Sequence, residues 1–293
     1  MLAFCVLAID LTRATVLLVE QAAGGRAADP GRCDAPEEPA SGEFSSPRRE
    51  QLFWDRHVPS LEACLEEFHS GPDRNTEAML NAVAPLSGLR VLDFACGAGV
   101  TAAWLATRGG KVTGIDVSPA SVARARELAS TLGLQIDFIV GELRSDTVAP
   151  GSFDAIVGRY ALHHVNIRSV APAIAQLLTP DGRGAFVETM ALNPVLNLCR
   201  RRLAGRAGVA KWGSDDEHPL TRSDLAVLAA EIGSVDLQVA RLTFMRILDR
   251  NVLRYRWRAL SWLMDRIDDA LLSVGLGRLS FHQVVKVTKG PAG

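Results

Sequence analysis

This chain lacks an excess of either charge. Its 32 Lys and Arg stand against 33 Asp and Glu, for a formal net charge of −1. Without a global basic excess, a protein whose main partner is nucleic acid is not expected. Paired cysteines are missing too. Cys5, Cys33, Cys64, Cys96 and Cys199 are odd in number, widely scattered and form no C-x-x-C. That pattern argues against a disulfide framework and a zinc site, so no metal is expected, and it suits a reducing cytoplasm. Nor is there a long hydrophobic run. The first nine residues, MLAFCVLAI, are apolar but have no basic flank, and Asp10 and Arg13 interrupt them. Neither a spanning helix nor a secretory signal is expected there. No internal repeat is visible.

What remains is 293 residues with 48% hydrophobic content, enough for one sizeable α/β domain with appendages. Residues 21–50 are rich in Gly, Pro, Ala, Ser and charge. Such a stretch buries too little apolar surface to offset its ordering entropy. Residues 1–50 therefore read as an extension with a disordered linker, and the folded domain is expected over 51–293. Its first part, 51–85, reads as a helical cover with helices at 51–69 and 74–84.

Strand and helix signals then alternate. Strands are expected at 89–95, 111–116, 135–140, 153–158, 182–188, 235–243 and 281–288. Helices are expected at 99–108, 119–132, 168–178 and 222–232. Short apolar strands alternating with helices predict a mostly parallel sheet covered on both faces.

The first strand runs into VLDFACGAGVTAAW at 91–104. Gly97 and Gly99 let backbone approach a ligand closely, and the helix that follows offers free N–H groups. The loop fits a dinucleotide site, and hence an NAD-dependent oxidoreductase, as well as an S-adenosylmethionine (SAM) site. Asp93 bears on the choice. A carboxylate near the end of a buried strand is costly without a task, and here it can organise the loop and favour a cationic group such as an amino acid's ammonium. Asp116, 17 residues after Gly99 at the tip of the next strand, suits vicinal ribose hydroxyls under either reading. Cys96, inside the loop, reads as a small residue in a tight turn.

Residues 91–128 resemble the first half of a class I SAM-dependent methyltransferase of the group acting on small molecules. Three further segments match in order: DFIVGEL at 137–143, FDAIVGRYALHHV at 153–165 and LLTPDGRGAFVE at 177–188. The resemblance implies a Rossmann-like, seven-stranded sheet, mostly parallel with an antiparallel last strand, and helices on both faces. It implies SAM as cofactor and methyl transfer to O, N or C of a small molecule, and the aromatic-rich insert described below would suit a hydrophobic secondary metabolite among such acceptors. It places Gly97 and Gly99 at the methionine portion, with Asp93, Ala95 and Arg159 near its amino end. Asp116 would hold the ribose and Val117 pack on the adenine. Glu142, in place of a more usual Asp, and Leu143 would flank the adenine's exocyclic amine.

Among acceptor-side groups, His163 and His164 lie just past the fourth strand, near the expected methyl group, and suit a general base. His57 with Trp54, Glu188 and His218 are further candidates. Two segments lie outside the resemblance. Residues 198–212 carry Arg200, Arg201, Arg202, Arg206 and Lys211 and no acid. The insert 245–278 spaces Arg246, Arg250, Arg254 and Arg258 four apart, a continuous basic stripe if it is one helix, with Trp257 and Trp262 among apolar residues. It reads as a lid over the substrate or as a peripheral contact with a membrane, which would suit a lipid or quinone-like acceptor. A nucleic-acid methylation target is disfavoured, because GRYALHH stands where a D/N-P-P-Y signature would be. A SAM-binding fold that has lost methyl transfer is the remaining alternative.

Overall fold

The computed structural model describes residues 47–144, 146, 148–203, 218–249 and 256–290. Most of the expected N-terminal extension and the basic residues Arg206 and Lys211 lie outside them.

Seven strands form one sheet: β1 Arg90–Phe94, β2 Lys111–Asp116, β3 Asp137–Val140, β4 Phe153–Arg159, β5 Leu178–Thr189, β6 Gly233–Gln238 and β7 His282–Lys289. Their spatial order is β3-β2-β1-β4-β5-β7-β6. β7 is antiparallel to both neighbours, and the pairs from β3 to β5 are parallel. The expected mostly parallel sheet with an antiparallel last strand is therefore present. The chain order reverses between β1 and β4, so a crevice opens at the carboxyl ends of these two strands, where ligands settle in such sheets.

Alternation along each strand feeds two cores. Leu92, Ile156 and Phe186 point to one face, where Ile174 and Leu177 of α6 (Ile167–Leu177) and Leu228 and Ile232 of α8 (Arg222–Ile232) cover them. Val91, Ala155 and Val187 point to the other, under Met79 and Leu80 of α3 (Arg74–Ala82) and Trp104 and Leu105 of α4 (Val100–Thr107). Both faces being buried is why the strands read as continuous apolar runs.

Helix starts follow their caps. Before α5 (Pro119–Thr131), the Ser118 hydroxyl accepts the Ser121 N–H at 3.0 Å, with proline in the first turn. Before α8, Thr221 and Asp224 form a reciprocal capping box.

Four expectations need correction. The fold begins earlier than residue 51, with α1 at Pro47–Arg56, and Glu50 of the expected linker is buried. The helix expected over 51–69 is two helices, α1 and α2 (Leu61–Ser70), because Pro59 interrupts and Ser60 caps a new start. β5 begins at Leu178, four residues early, with a register irregularity against β4. The continuous arginine stripe also fails. Arg246 lies on the short α9 (Met245–Leu248), where its guanidinium pairs with Asp265, while Arg258 opens a separate helix, α10 (Arg258–Ser273). Arg250 and Arg254 fall outside the described residues.

Candidate functional site

The crevice is built on the carboxyl ends of β1, β2 and β4. After β1 the chain turns through Ala95, at φ 54°, and Gly97, at φ 52°. A Cβ added at Gly97 would meet no protein atom within 4 Å, so the loop there borders open space. Gly99 differs. Its φ is 83°, and a Cβ would stand 2.8 Å from the Ala125 Cβ of α5. Its smallness lets α4 start against α5, so it serves packing rather than the lining of the crevice. Cys96 is buried, and its Sγ bounds the space beside Gly114. Burial, reinforced by the charges of Asp93 and Asp116, raises its thiol well above the ordinary value, consistent with an inert structural residue.

Three carboxylates surround this loop. Asp116 Oδ2 accepts the Gly97 N–H at 2.8 Å and Oδ1 accepts the Ser118 N–H at 2.9 Å. One side chain thus fixes both the loop after β1 and the start of α5. Burial raises its pKa, offset by those two amides, and the charge of Asp55 adds to the rise. Asp55, on α1, accepts the Ser118 hydroxyl at 2.5 Å and the Ala120 N–H at 3.3 Å. Asp93 is buried, and its Oδ2 has no hydrogen-bond partner. Burial pushes its pKa up to about 7, with Arg159 opposing and Asp116 adding to the rise. Arg159 pairs with Glu67 at 2.6 Å and lies over the Trp104 ring at 5.6 Å. Beyond β3, the Gly141 N–H bonds to the Asp116 carbonyl at 2.9 Å, which sets Glu142, exposed, and Leu143, buried, beside the tip of β2. Val117 is half-buried at the same tip.

The histidines expected on the acceptor side, His163 and His164, sit on the turn after β4. Tyr160 adopts a left-handed φ of 60°, strained for a bulky residue, and its N–H is held by the Val187 carbonyl at 2.8 Å. A 3-10 turn, Leu162–His164, follows. Buried Glu188 organises this turn: Oε1 accepts the Ala161 and Leu162 N–H groups at 2.9 and 2.7 Å, and Oε2 lies 2.7 Å from His163 Nδ1. The His164 ring lies tilted against that of His163, with centroids 4.2 Å apart, meets the Trp54 ring edge at 5.7 Å, and lies 3.4 Å from Glu50, which also accepts the Trp54 indole N–H at 2.9 Å. The His218 N–H donates to the His163 carbonyl at 2.9 Å, so the 218 loop borders this turn. His57 is not brought here. It is exposed, stacks on Phe53 at 4.2 Å, and its Nδ1 lies 2.7 Å from the Phe53 carbonyl, where it finishes α1.

Sequence reasoning missed Glu50, Asp55, Tyr160 and His282, whose ring lies 5.3 Å from Tyr160. Asp55 and Glu50 carry no local signal, because their partners lie far along the chain.

Comparison with known proteins agrees with this architecture. A family model described as a methyltransferase domain matches residues 91–182. A ubiquinone biosynthesis O-methyltransferase of Xylella fastidiosa (strain 9a5c) is 40% identical over 238 residues, covering 78% of this chain and 88% of that protein. One of the same name from Methylocella silvestris is 33% identical over 142 residues, where 48% of this chain spans about half, 54%, of that protein. Among solved structures, the [4+2]-cyclase SpnF aligns with a TM-score of 0.55 at 17% identity, over 85% of this chain and 98% of that one. Geranyl diphosphate C-methyltransferase from Streptomyces coelicolor, in complex with Mg2+, geranyl diphosphate and S-adenosyl-L-homocysteine, aligns with a TM-score of 0.53 at 16% identity, over 85% and 100%. At such identities these structures speak to the fold alone.

The residues fit SAM as the cofactor. The unpartnered Asp93 oxygen and the acidic surroundings suit a ligand with ammonium and sulfonium charges, and Gly97 leaves backbone exposed to it. With the sheet, the glycine loop and the Xylella relative in agreement, the chain belongs to the class I SAM-dependent methyltransferases, enzymes that transfer a methyl group to a small-molecule acceptor.

Proposed function

We propose that this enzyme methylates a hydroxyl oxygen on an amphiphilic, quinone-like aromatic acceptor, and that His163 takes the hydroxyl proton. The observation that carries the reading is the buried pair of Glu188 and His163 at 2.7 Å, at the carboxyl ends of β5 and β4. A carboxylate fixed by two backbone amides keeps the Nδ1–H tautomer, which leaves the lone pair of the neutral ring on Nε2. An imidazole so oriented suits proton removal from a hydroxyl as the oxygen attacks. His164, braced by Trp54 and Glu50, forms a wall of the acceptor pocket. The Xylella relative's name, which places its reaction on oxygen in ubiquinone biosynthesis, supports the acceptor class.

SAM supplies an electrophilic methyl group whose displacement depends chiefly on alignment. On the chain's side, Asp93 and Arg159 orient the amino acid end, and Gly97 passes beside it. Asp116 holds the ribose, with Val117, Glu142 and Leu143 around the adenine. Gly99 shapes this loop from behind. In the same reading the enzyme works in the cytoplasm as a peripheral protein at a membrane surface. Among the described residues, no helix is long and apolar enough to cross a membrane.

The test is transfer of a labelled methyl group from SAM to matched hydroxylated and amino-substituted benzoquinol analogues. Labelling of the hydroxylated series, lost in His163→Ala while SAM still binds, is the expected result. Labelling of the amino series alone, or an active His163→Ala enzyme, contradicts the assignment.

A further inference from the structure

We infer that the outer face of α10 is a docking surface for an anionic lipid bilayer. The argument begins with where the acids of this helix go. Asp265 faces inward and is held by Arg241, at 3.1 Å, and by Arg246. Asp268 is buried and accepts the N–H groups of Phe244, Met245 and Arg246 at 2.8–3.2 Å. Asp269 pairs with Arg266 at 2.9 Å. Asp265 and Asp268 are therefore withdrawn from the outer face, while Asp269 remains on it, paired with Arg266.

What faces outward is of the other kind. At 3.6 residues per turn, Arg258, Trp262, Leu263 and Ile267, all exposed, fall on one half of the helix together with the Arg266–Asp269 pair. Trp262 is 63% and Val274 71% exposed, with Trp257 and Arg256 exposed just ahead of the first turn. A helix presenting tryptophan and aliphatic side chains beside arginines, with two of its three acids withdrawn and the third paired, matches an interfacial helix on an anionic surface.

The position of the helix supports the same occupant. α10 leads through the 3-10 turn Leu276–Leu279 into β7, whose first residue, His282, pairs with Thr189 at the end of β5. The Asn193 side-chain amide ties α7 (Pro194–Leu203) to the Leu279 carbonyl at 2.8 Å. His282 also packs on Tyr160. The docking helix thus joins the sheet at the end that holds His163, where an amphiphilic acceptor would arrive from the bilayer. This last step rests on the proposed acceptor class, whereas the lipid surface itself does not.

The experiment is flotation of the full chain with phosphatidylcholine vesicles, with and without phosphatidylglycerol. The wild type should float with the anionic vesicles. Arg256→Gln/Arg258→Gln should bind them about thirtyfold more weakly, the loss for two arginines near an anionic surface. Trp262→Ser/Leu263→Ser should also be left behind. Unchanged melting and SAM binding in each variant show that the fold is intact. Failure of the wild type to float, equal recovery on neutral vesicles, or equal binding by both variants overturns the proposal. So does a concentration-dependent dimer that forms without vesicles and is lost in Trp262→Ser. Methyl transfer to a short, water-soluble acceptor is read in parallel. A wild type that floats but methylates no hydroxylated acceptor refutes the acceptor assignment and leaves the docking surface standing.

Discussion

Glu188 and His163, 25 residues apart in sequence, meet at 2.7 Å in a fully buried contact. The same carboxylate accepts two amides of the turn that carries the histidine. Position, tautomer and ring orientation therefore have one source. A buried carboxylate on the inner strand of a sheet is costly unless partnered, and here the partners belong to the turn that carries the histidine.

On the proposed site assignment, Asp93 should make cofactor binding sensitive to pH. Its folded-state pKa is raised to about 7 from an ordinary value of 3.8. Between those values the folded protein holds a proton that the unfolded chain has released. The contribution of Asp93 to stability is thus present in full below about pH 4 and is lost as pH rises through about 7. The loss is bounded by about 4 kcal/mol. Asp93→Asn should remove this slope, so that without ligand the variant melts higher than the wild type at pH 8. In the same window a cationic ligand must displace the proton. SAM affinity should rise with pH up to about 7 and then level off, with proton release seen by calorimetry in buffers of different ionisation enthalpy.

The two loop glycines should separate on substitution. Gly99→Ala drives a Cβ to 2.8 Å from Ala125 at a left-handed φ, so it should destabilise the protein by about 1–3 kcal/mol in denaturant unfolding. Gly97→Ala meets no protein atom, so its cost to stability is the backbone strain alone, about 1 kcal/mol. Its larger effect should be a fall in SAM affinity, because the added methyl enters the space left for the ligand. Equal profiles for the two variants would contradict the roles assigned to them.

Asp55 ties α1 to the start of α5. Asp55→Ala should cost about 1 kcal/mol of stability, as for loss of a helix cap. It should also speed both association and dissociation of SAM in stopped-flow measurements, since α1 is then released from Ser118. Unchanged ligand kinetics would show that α1 plays no part in covering the site.

Legibility in the sequence followed the range of the interactions. β2 and the starts of α5 and α8 were readable to within a residue, because apolar runs and Ser-Pro or Thr-x-x-Asp caps are local. That Asp93, Gly97 and Asp116 would meet at one loop was readable because their spacing is a local property of a strand-turn-helix unit. The break between α1 and α2 had a signal in Pro59 and Ser60 that the apolar pattern masked. The arginines of the insert misled for the opposite reason. Four-residue spacing says that side chains can share a face, not which face, and Arg246 was claimed by Asp265 on another helix. Asp55 and Glu50 could not be found locally, since each gains its purpose only when α1 docks on Ser118 and His164.

The central claim is that Glu188 sets His163 to take a proton from a hydroxyl, and the most direct test is Glu188→Gln assayed on phenolic acceptors of graded acidity. The glutamine can still accept the Ala161 and Leu162 amides, but its NH2 turned to His163 reverses the tautomer. The methyl-transfer rate should fall by about 10²–10⁴ for weakly acidic phenols, the usual worth of a general base. The deficit should shrink towards none as the phenol becomes acidic enough to arrive ionised, with SAM affinity unchanged throughout. A deficit of the same size for every acceptor, or no deficit at all, would contradict the account.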